Sequence, residues 1–211
     1  MIQSIPTSRI RSLAIGLAEI QGFALPNGAP LLSPFSLAEC VFYQYQIEEK
    51  VHTRRGSRWC TVKRGHSSNS FFVEDETDRI LVDPRGAELH LELDNRQYTG
   101  GISDMDMDIT LSRLGVGSRN LLGFSKELRC SEKYVVEQDP VYVMGNAVIN
   151  PEKTPAQVDA QALMMTKGRS GYFIVSDKSE KELLSEFGWN VYLGLIMGPA
   201  LTVLCLAYIF R

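Results

Sequence analysis

Residues 71–93 read FFVEDETDRILVDPRGAELHLEL, and this stretch decides the fold. Phe71-Phe72-Val73 is a short apolar run, Glu74 to Asp78 is polar, and Ile80-Leu81-Val82 is apolar again. After Asp83-Pro84-Arg85-Gly86 comes an alternation with Leu89, Leu91 and Leu93 on one face and Glu88, His90 and Glu92 on the other. Short apolar runs bounded by turn formers, and period-two alternation, are the signals of strands. The four residues from Asp83 fit a type I turn: Asp can bond back to the chain, Pro presets the second position, and Gly is favoured at the fourth. Two turns therefore join three antiparallel strands.

The pattern extends outward in both directions. Leu13, Ile15 and Leu17 alternate, as do Val41, Tyr43, Tyr45 and Ile47, and further strands are expected at Trp59–Lys63, Lys133–Glu137, Val141–Ile149 and Tyr172–Ser176. Helical signals are few. Thr154-Pro155-Ala156-Gln157 is a capping signature, after which Val158, Ala162 and Met165 share one face until Gly168. A second short helix is expected from Ser176 or Asp177 through Leu184, and a third over Ser118–Leu128. Residues 1–10 read as a lead-in and residues 11–188 as a β-rich domain. The expected fold is mainly β, with antiparallel strands arranged as a barrel or sandwich and two or three short helices. A carboxyl-terminal transmembrane helix is expected over residues 189–211.

That last expectation rests on composition. The chain has 211 residues and a formal charge of −3, a sign that argues against a nucleic-acid partner, which would need a strongly basic face. Its length suits one ordinary domain with an appendage. The apolar residues concentrate at the end. Val191–Phe210, VYLGLIMGPALTVLCLAYIF, contains no charged residue, and at about 1.5 Å per residue its twenty residues make a helix of about 30 Å, the thickness of a bilayer core. Trp189, Tyr192 and Tyr208 lie where interfacial aromatics sit, and Arg211 closes the segment. Lys178 and Lys181 on the body side against Arg211 favour a cytoplasmic body. Gly194 and Gly198 form a G-x-x-x-G pair through which two such helices could associate. Pro6, Arg9, Arg11 and Glu19 interrupt the amino end, where neither signal peptide nor anchor is expected. The expected protein is thus anchored once, with the bilayer and other membrane or membrane-proximal proteins as partners.

No catalytic constellation emerges. The four cysteines, Cys40, Cys60, Cys130 and Cys205, form no C-x-x-C pair, and buried reduced thiols are the plain reading. His52, His66 and His90 fall in polar stretches; Cys60 and His66 are the one near pair, which is too little for zinc. In SDMDMD the aspartates Asp104, Asp106 and Asp108 open like a calcium loop, but Ile109 and Gly115 stand where its sixth-position Gly and twelfth-position Glu belong. The expectation there is an acidic strand edge with Met105 and Met107 turned inward. No P-loop, dinucleotide turn or G-x-S-x-G elbow is present, and no cofactor is expected. The segment KVHTRRGSRWCTVKR, residues 50–64, holds six Lys or Arg around Trp59 and could meet phosphate or an anionic lipid surface, or could equally be a solvated hairpin.

Taken in order, PTSRIRSLAIGLAEIQG, LLSPFSLAECVFYQYQIEE, Arg58-Trp59-Cys60, SFFVEDETDRILVDPRGAEL, EQDPVYVMGNAV and FIVSDKSEKELL resemble the GIDE domain family. This is also called the BAM, or beside-a-membrane, domain, and it occurs in Mulan-type mitochondrial ubiquitin ligases and in prokaryotic membrane proteins. The resemblance runs from about Pro6 to Arg211. It implies Pro34, Cys40, Trp59, Phe72, Asp75, Asp83, Pro84 and Gly86 as signature positions that set turns and core packing. Members usually carry a span on each side of the domain, and the eukaryotic ligases place a RING after the second. A RING needs eight Cys or His ligands, and the body offers six at unsuitable spacing, so RING chemistry by these residues is not expected. The resemblance implies a membrane-tethered, non-enzymatic module that binds or organises other proteins. A ubiquitin-ligase component is the alternative, and a hydrolase using Cys40 or Cys60 with one histidine is the third.

Overall fold

The computed structural model describes residues 7–99, 105–120, 123–151, 162–168 and 171–177. After a single 3-10 turn at Ile10–Ser12 come β1 (Gly16–Pro26), β2 (Leu31–Leu32), β3 (Glu39–Cys40), β4 (Phe42–Thr53), β5 (Gly56–His66), β6 (Phe71–Glu74), β7 (Arg79–Val82), β8 (Glu88–His90) and β9 (Asn95–Thr99). Then follow α1 (Met105–Arg113), β10 (Leu128–Val135), β11 (Pro140–Ile149), β12 (Leu163–Thr166) and β13 (Ile174–Ser176). The mainly β class and the barrel are as expected.

Five strands close into a ring in the order β1, β6, β7, β12, β11 and back to β1. β1 runs antiparallel to β11 from Gly16 to Phe23 and to β6 from Phe23 to Pro26, so it changes neighbours along its length and closes the barrel. β13 and β8 continue the sheet beyond β11. The core is apolar throughout: Ile20, Phe42, Phe71, Ile80, Val143, Met165 and Val175 are wholly buried in one cluster. Phe42 begins β4, which then leaves the barrel and pairs with β5 and β10 in a second, four-stranded antiparallel sheet ordered β5, β4, β10, β9. Tyr45, Ile47, Leu128 and Cys130 on one face of that sheet form a second core with Leu111 and Val116.

Several expectations are corrected. SDMDMD is not a strand edge: Met105–Arg113 is a helix, with Met105 77% exposed and Leu111 wholly buried. Met107, Leu111 and Leu114 lie four and three apart on the face that meets the second core. Asp106 and Asp108 suit the helix's positive amino end. Gly115, at φ +71°, ends it in a Schellman motif in which Val116 N–H donates to the Leu111 carbonyl and Gly115 N–H to that of Ser112. The expected helix ending at Gly168 is overturned where it can be seen. Leu163–Thr166 is β12, parallel to β7 and antiparallel to β11, because the ring needs a strand there and Met165 fills its interior. Among the described residues of Ser118–Leu128 there is no helix either: the Asn120 amide donates to the Phe124 carbonyl, Gly123 stands at φ +83°, and Leu128 opens β10. One α-helix therefore stands among the described residues. The remainder of the expected helices, and the span over 189–211 with Gly194 and Gly198, lie outside them. Among the described residues no helix is long and apolar enough to cross a membrane.

Two registers also differ. The run through Leu13, Ile15 and Leu17 does not form an inner face. Leu13, just after the 3-10 turn, is buried in the core, but Gly16, at φ +131°, breaks the alternation, so Ala18 and Ile20 point inward while Ile15 and Leu17 are exposed. The turn after β7 is shifted by one residue. Ala87 N–H bonds to the Pro84 carbonyl at 3.0 Å with Gly86 at φ +79° in the third position, which is the demand of a type II turn. Asp83 holds it from outside, accepting from the Arg85 amide at 3.2 Å and from its guanidinium at 2.6–3.0 Å.

Asp75 fastens the amino-terminal segment to the barrel. Its carboxylate accepts from the amides of Ile10, Thr77 and Asp78 and from the Thr77 hydroxyl. Burial pushes its pKa upward, but these bonds together outweigh it and hold the group below its ordinary 3.8. Asp83 and Glu48 are likewise held low, chiefly by hydrogen bonds from Arg85 and Arg129. Asp94 and Asp177 shift the other way, raised by burial and by the carboxylates around them. A depressed carboxylate confers stability that is complete above its unfolded pKa and is lost as pH falls through the folded one; a raised carboxylate stabilises only while protonated. Asp75→Asn should therefore lower stability at neutral pH by about 1–2 kcal/mol and flatten the acid limb below pH 3.8. Asp177→Asn should raise neutral stability, and urea melts from pH 3 to pH 7 read both.

Candidate functional site

The face of the four-stranded sheet opposite α1 is open. In antiparallel pairs, directly opposed residues share a face. The β4–β10 and β10–β9 registers place Lys133 opposite Gln44, Ser131 opposite Gln46 and Arg96, and Arg129 opposite Glu48 and Tyr98. Across β4 and β5 a bulge at Ile47/Glu48 shifts the register by one, so Arg64 stays opposite Gln46 while Thr61 faces Glu48 and Trp59 faces Lys50. The extra residue keeps Trp59 on the open face and sends Lys63 to the other, where its Nζ donates to the Leu114 carbonyl behind α1. Residues 50–64 are thus a hairpin with Arg54-Arg55 at its tip, as the solvated-hairpin reading had it, but one flank belongs to this face.

The aromatics are held by cations. The Arg129 guanidinium lies 4.7 Å from the Trp59 ring and the Lys50 ammonium 6.0 Å, while the Tyr98 ring meets Trp59 edge-on at 6.0 Å between centroids. Arg129 Nε also donates to Glu48 at 2.6 Å, and Lys50 pairs with Glu127 at 2.7 Å. Tyr98 remains 62% exposed. The pair is thus fixed by charged neighbours, with Tyr98 open to solvent and Trp59 half-buried behind it.

The signature positions fall into separate places. Pro34 lies in the turn between β2 and β3, where the Ser33 hydroxyl accepts from the Ala38 amide. Buried Glu132 of β10 accepts from the amides of Phe35 and Ser36, both at 2.9 Å, and from Asn95 Nδ2 at 3.1 Å. Cys40 is buried beside it, and burial, with the charges of Glu132 and Asp94, pushes its thiol up to about 11. Phe72 sits on β6 with the Arg79 guanidinium 5.0 Å from its ring. Asp75, Asp83, Pro84 and Gly86 belong to the two turns already described, and Trp59 to the open sheet face.

Of the three described cysteines, Cys40 and Cys130 are buried and Cys60 is half-buried on β5. Cys130 is raised to about 11 by burial and by Glu132, as Cys40 is, so both thiols are protonated at neutral pH, the unreactive state. His66 stacks on Phe42 and its Nδ1 donates to the Ser67 carbonyl at 2.7 Å. Among the described residues no cluster of three or more His, Cys, Asp or Glu could hold a metal ion. A second concavity, of about 560 Å³, lies where the first and last described segments meet, with Thr7, Arg9 and Asp177 in its wall beside Asp75, Phe23 and Tyr142. Its carboxylate Asp75 is already spent on the turn and on Ile10.

Sequence reasoning singled out Trp59 but missed Arg96, Tyr98, Arg129, Lys133 and Glu132. Their signal was present as alternation: in LRCSEKYV, Leu128, Cys130 and Glu132 are buried while Arg129, Ser131 and Lys133 point outward.

Residues 42–209 match a family model described as GIDE, E3 ubiquitin ligase. No curated protein and no solved structure matches the chain.

Proposed function

The chain belongs to the GIDE family, and from that premise we propose that it is a partner-binding module held beside a membrane, recognising another protein rather than carrying out group transfer. The open sheet face carries this reading: one side of the sheet is packed against α1 while the other presents Tyr98 to solvent, with Trp59 and Arg129 half-buried beside it. The high thiol pKa values argue in the same direction, since neither buried cysteine suits a covalent carrier of an acyl group. Val191–Phe210 supports the tether, with the body on the cytoplasmic side.

A photo-crosslinking residue in place of Tyr98, in the full chain expressed in membranes, is expected to give discrete protein adducts that the same residue at exposed Phe124 does not. The chain should also stay in the membrane fraction through alkaline carbonate extraction. Loss of adducts at Tyr98 would remove the binding face, and release by carbonate would remove the tether. The family description favours a second reading, a component that itself promotes ubiquitin transfer. Zinc-dependent discharge of a charged conjugating enzyme by the purified full chain would establish that reading in place of the first.

A further inference from the structure

The open face bounds a groove of about 500 Å³ whose lining includes Leu89 of β8 and Leu93 just after it. Arg96, Ser131, Gln46 and Arg64 form one row across all four strands. At about 5 Å between opposed Cβ atoms the two arginines root about 15 Å apart, with a hydroxyl and a primary amide between them. Lys133, one pair further along, anchors its Nζ on the Leu91 carbonyl. The carboxylate in the groove, Glu48, is taken by Arg129. Among the described residues no carboxylate pairs with Arg64, Arg96 or Lys133. Arg64 and Arg96 are both exposed. The groove is therefore a cationic trough with a polar floor and an apolar wall, in a chain whose overall charge is negative.

We infer that this groove receives an acidic polypeptide segment of the partner, with carboxylates on Arg64, Arg96 and Lys133, backbone groups on Gln46 and Ser131, and an apolar side chain against Leu93. The inference rests on the partner-binding reading and names the chemistry of the partner. Each part of the trough has its counterpart in such a segment: guanidinium forks match carboxylates, and floor amides match peptide groups. A bilayer surface matches less. It is broad, so it cannot enter the trough to reach the Gln46 and Ser131 floor.

The test uses the full chain in nanodiscs of phosphatidylcholine and a fluorescein-labelled peptide of alternating Glu and Leu, beside its counterpart with Gln for every Glu. The acidic peptide is expected to bind, more weakly as salt rises, and the Gln peptide is not. Arg64→Glu combined with Arg96→Glu should weaken binding by roughly tenfold or more, two close charge pairs being reversed. Arg54→Glu with Arg55→Glu makes the same change of net charge at the hairpin tip and should leave binding within about twofold, its charges lying more than a Debye length away. Unchanged thermal melts confirm that both variants fold. Equal binding of the two peptides, or equal loss in the two variants, overturns the inference. So does binding of phosphatidylserine vesicles through Arg64 and Arg96 without binding of the peptide, which would assign the trough to lipid. If Tyr98 still captures a protein when the peptide fails, partner binding stands and the acidic character of the partner falls; if neither occurs, the underlying reading falls.

Discussion

Glu132→Ala is expected to lower the free energy of unfolding by about 3–5 kcal/mol, since it leaves two buried amide N–H groups without an acceptor at about 1–3 kcal/mol each. Glu132 is 1% exposed in β10, a strand shared by both faces of the four-stranded sheet. Its two oxygens accept three bonds, from the Phe35 and Ser36 amides and the Asn95 side chain. The two amides belong to the turn Ser33–Ala38, where Leu37 is forced to φ +55° and the chain must reverse between β2 and β3. Truncation leaves two backbone N–H groups facing a void, and neither has a partner inside the turn. Glu132→Gln keeps the volume but offers an NH2 where an acceptor is needed, so it should recover less than half of the loss. Urea unfolding of both variants measures this. A cost under about 1 kcal/mol for Ala would mean that the turn is held by something else.

Gly22→Ala should be nearly as damaging, at about 2–4 kcal/mol, toward the upper end of what overpacking costs. Gly22 lies where β1 is still paired to Val141 of β11 and is about to take up Glu74 of β6 at the next residue. A Cβ there would stand 2.3 Å from the Glu74 carbonyl oxygen and 2.9 Å from Val73 Cγ1. The nearest obstacle is backbone, which cannot rotate away, so the strands must separate at the point where the barrel closes. Gly28→Ala is the matched comparison. Its added methyl meets nothing within 4 Å, and the cost is confined to its positive φ of 101°. Thermal melting that shows Gly22→Ala no worse than Gly28→Ala would mean that β1 and β6 are not in contact as described.

The barrel strands were legible in the sequence because they obey local rules: FFVE, RILV and PVYVMGNAVI carry short apolar runs between turn formers. What escaped was decided elsewhere in the chain. In Asp104–Asp108 the alternation of Asp and Met imitates a strand, while the helical spacing of Met107, Leu111 and Leu114 together with Gly115 was the stronger evidence and extends further. Leu163–Thr166 has the composition of a helix, and it is a strand because β7 and β11 leave a gap in the ring that only an extended segment fills. Tertiary demand of that kind has no local signature. The open sheet face was half visible. Trp59 and the cations of residues 50–64 stand out in the sequence, but the partners Tyr98 and Arg129 lie 39 or more positions away and meet Trp59 only through the strand registers.

β11 touches β1 on one side and both β12 and β13 on the other. The ten strands before it can do little without it: when the first hundred residues have been synthesised, β1, β6 and β7 form only an open ribbon with its apolar inner surface uncovered. The four-stranded sheet waits in the same way, since β4 and β9 have no common neighbour until β10 appears. The nascent chain therefore gains its protection late and nearly all at once, over the stretch from residue 128 to 176. Until then its apolar strand faces stay open to water.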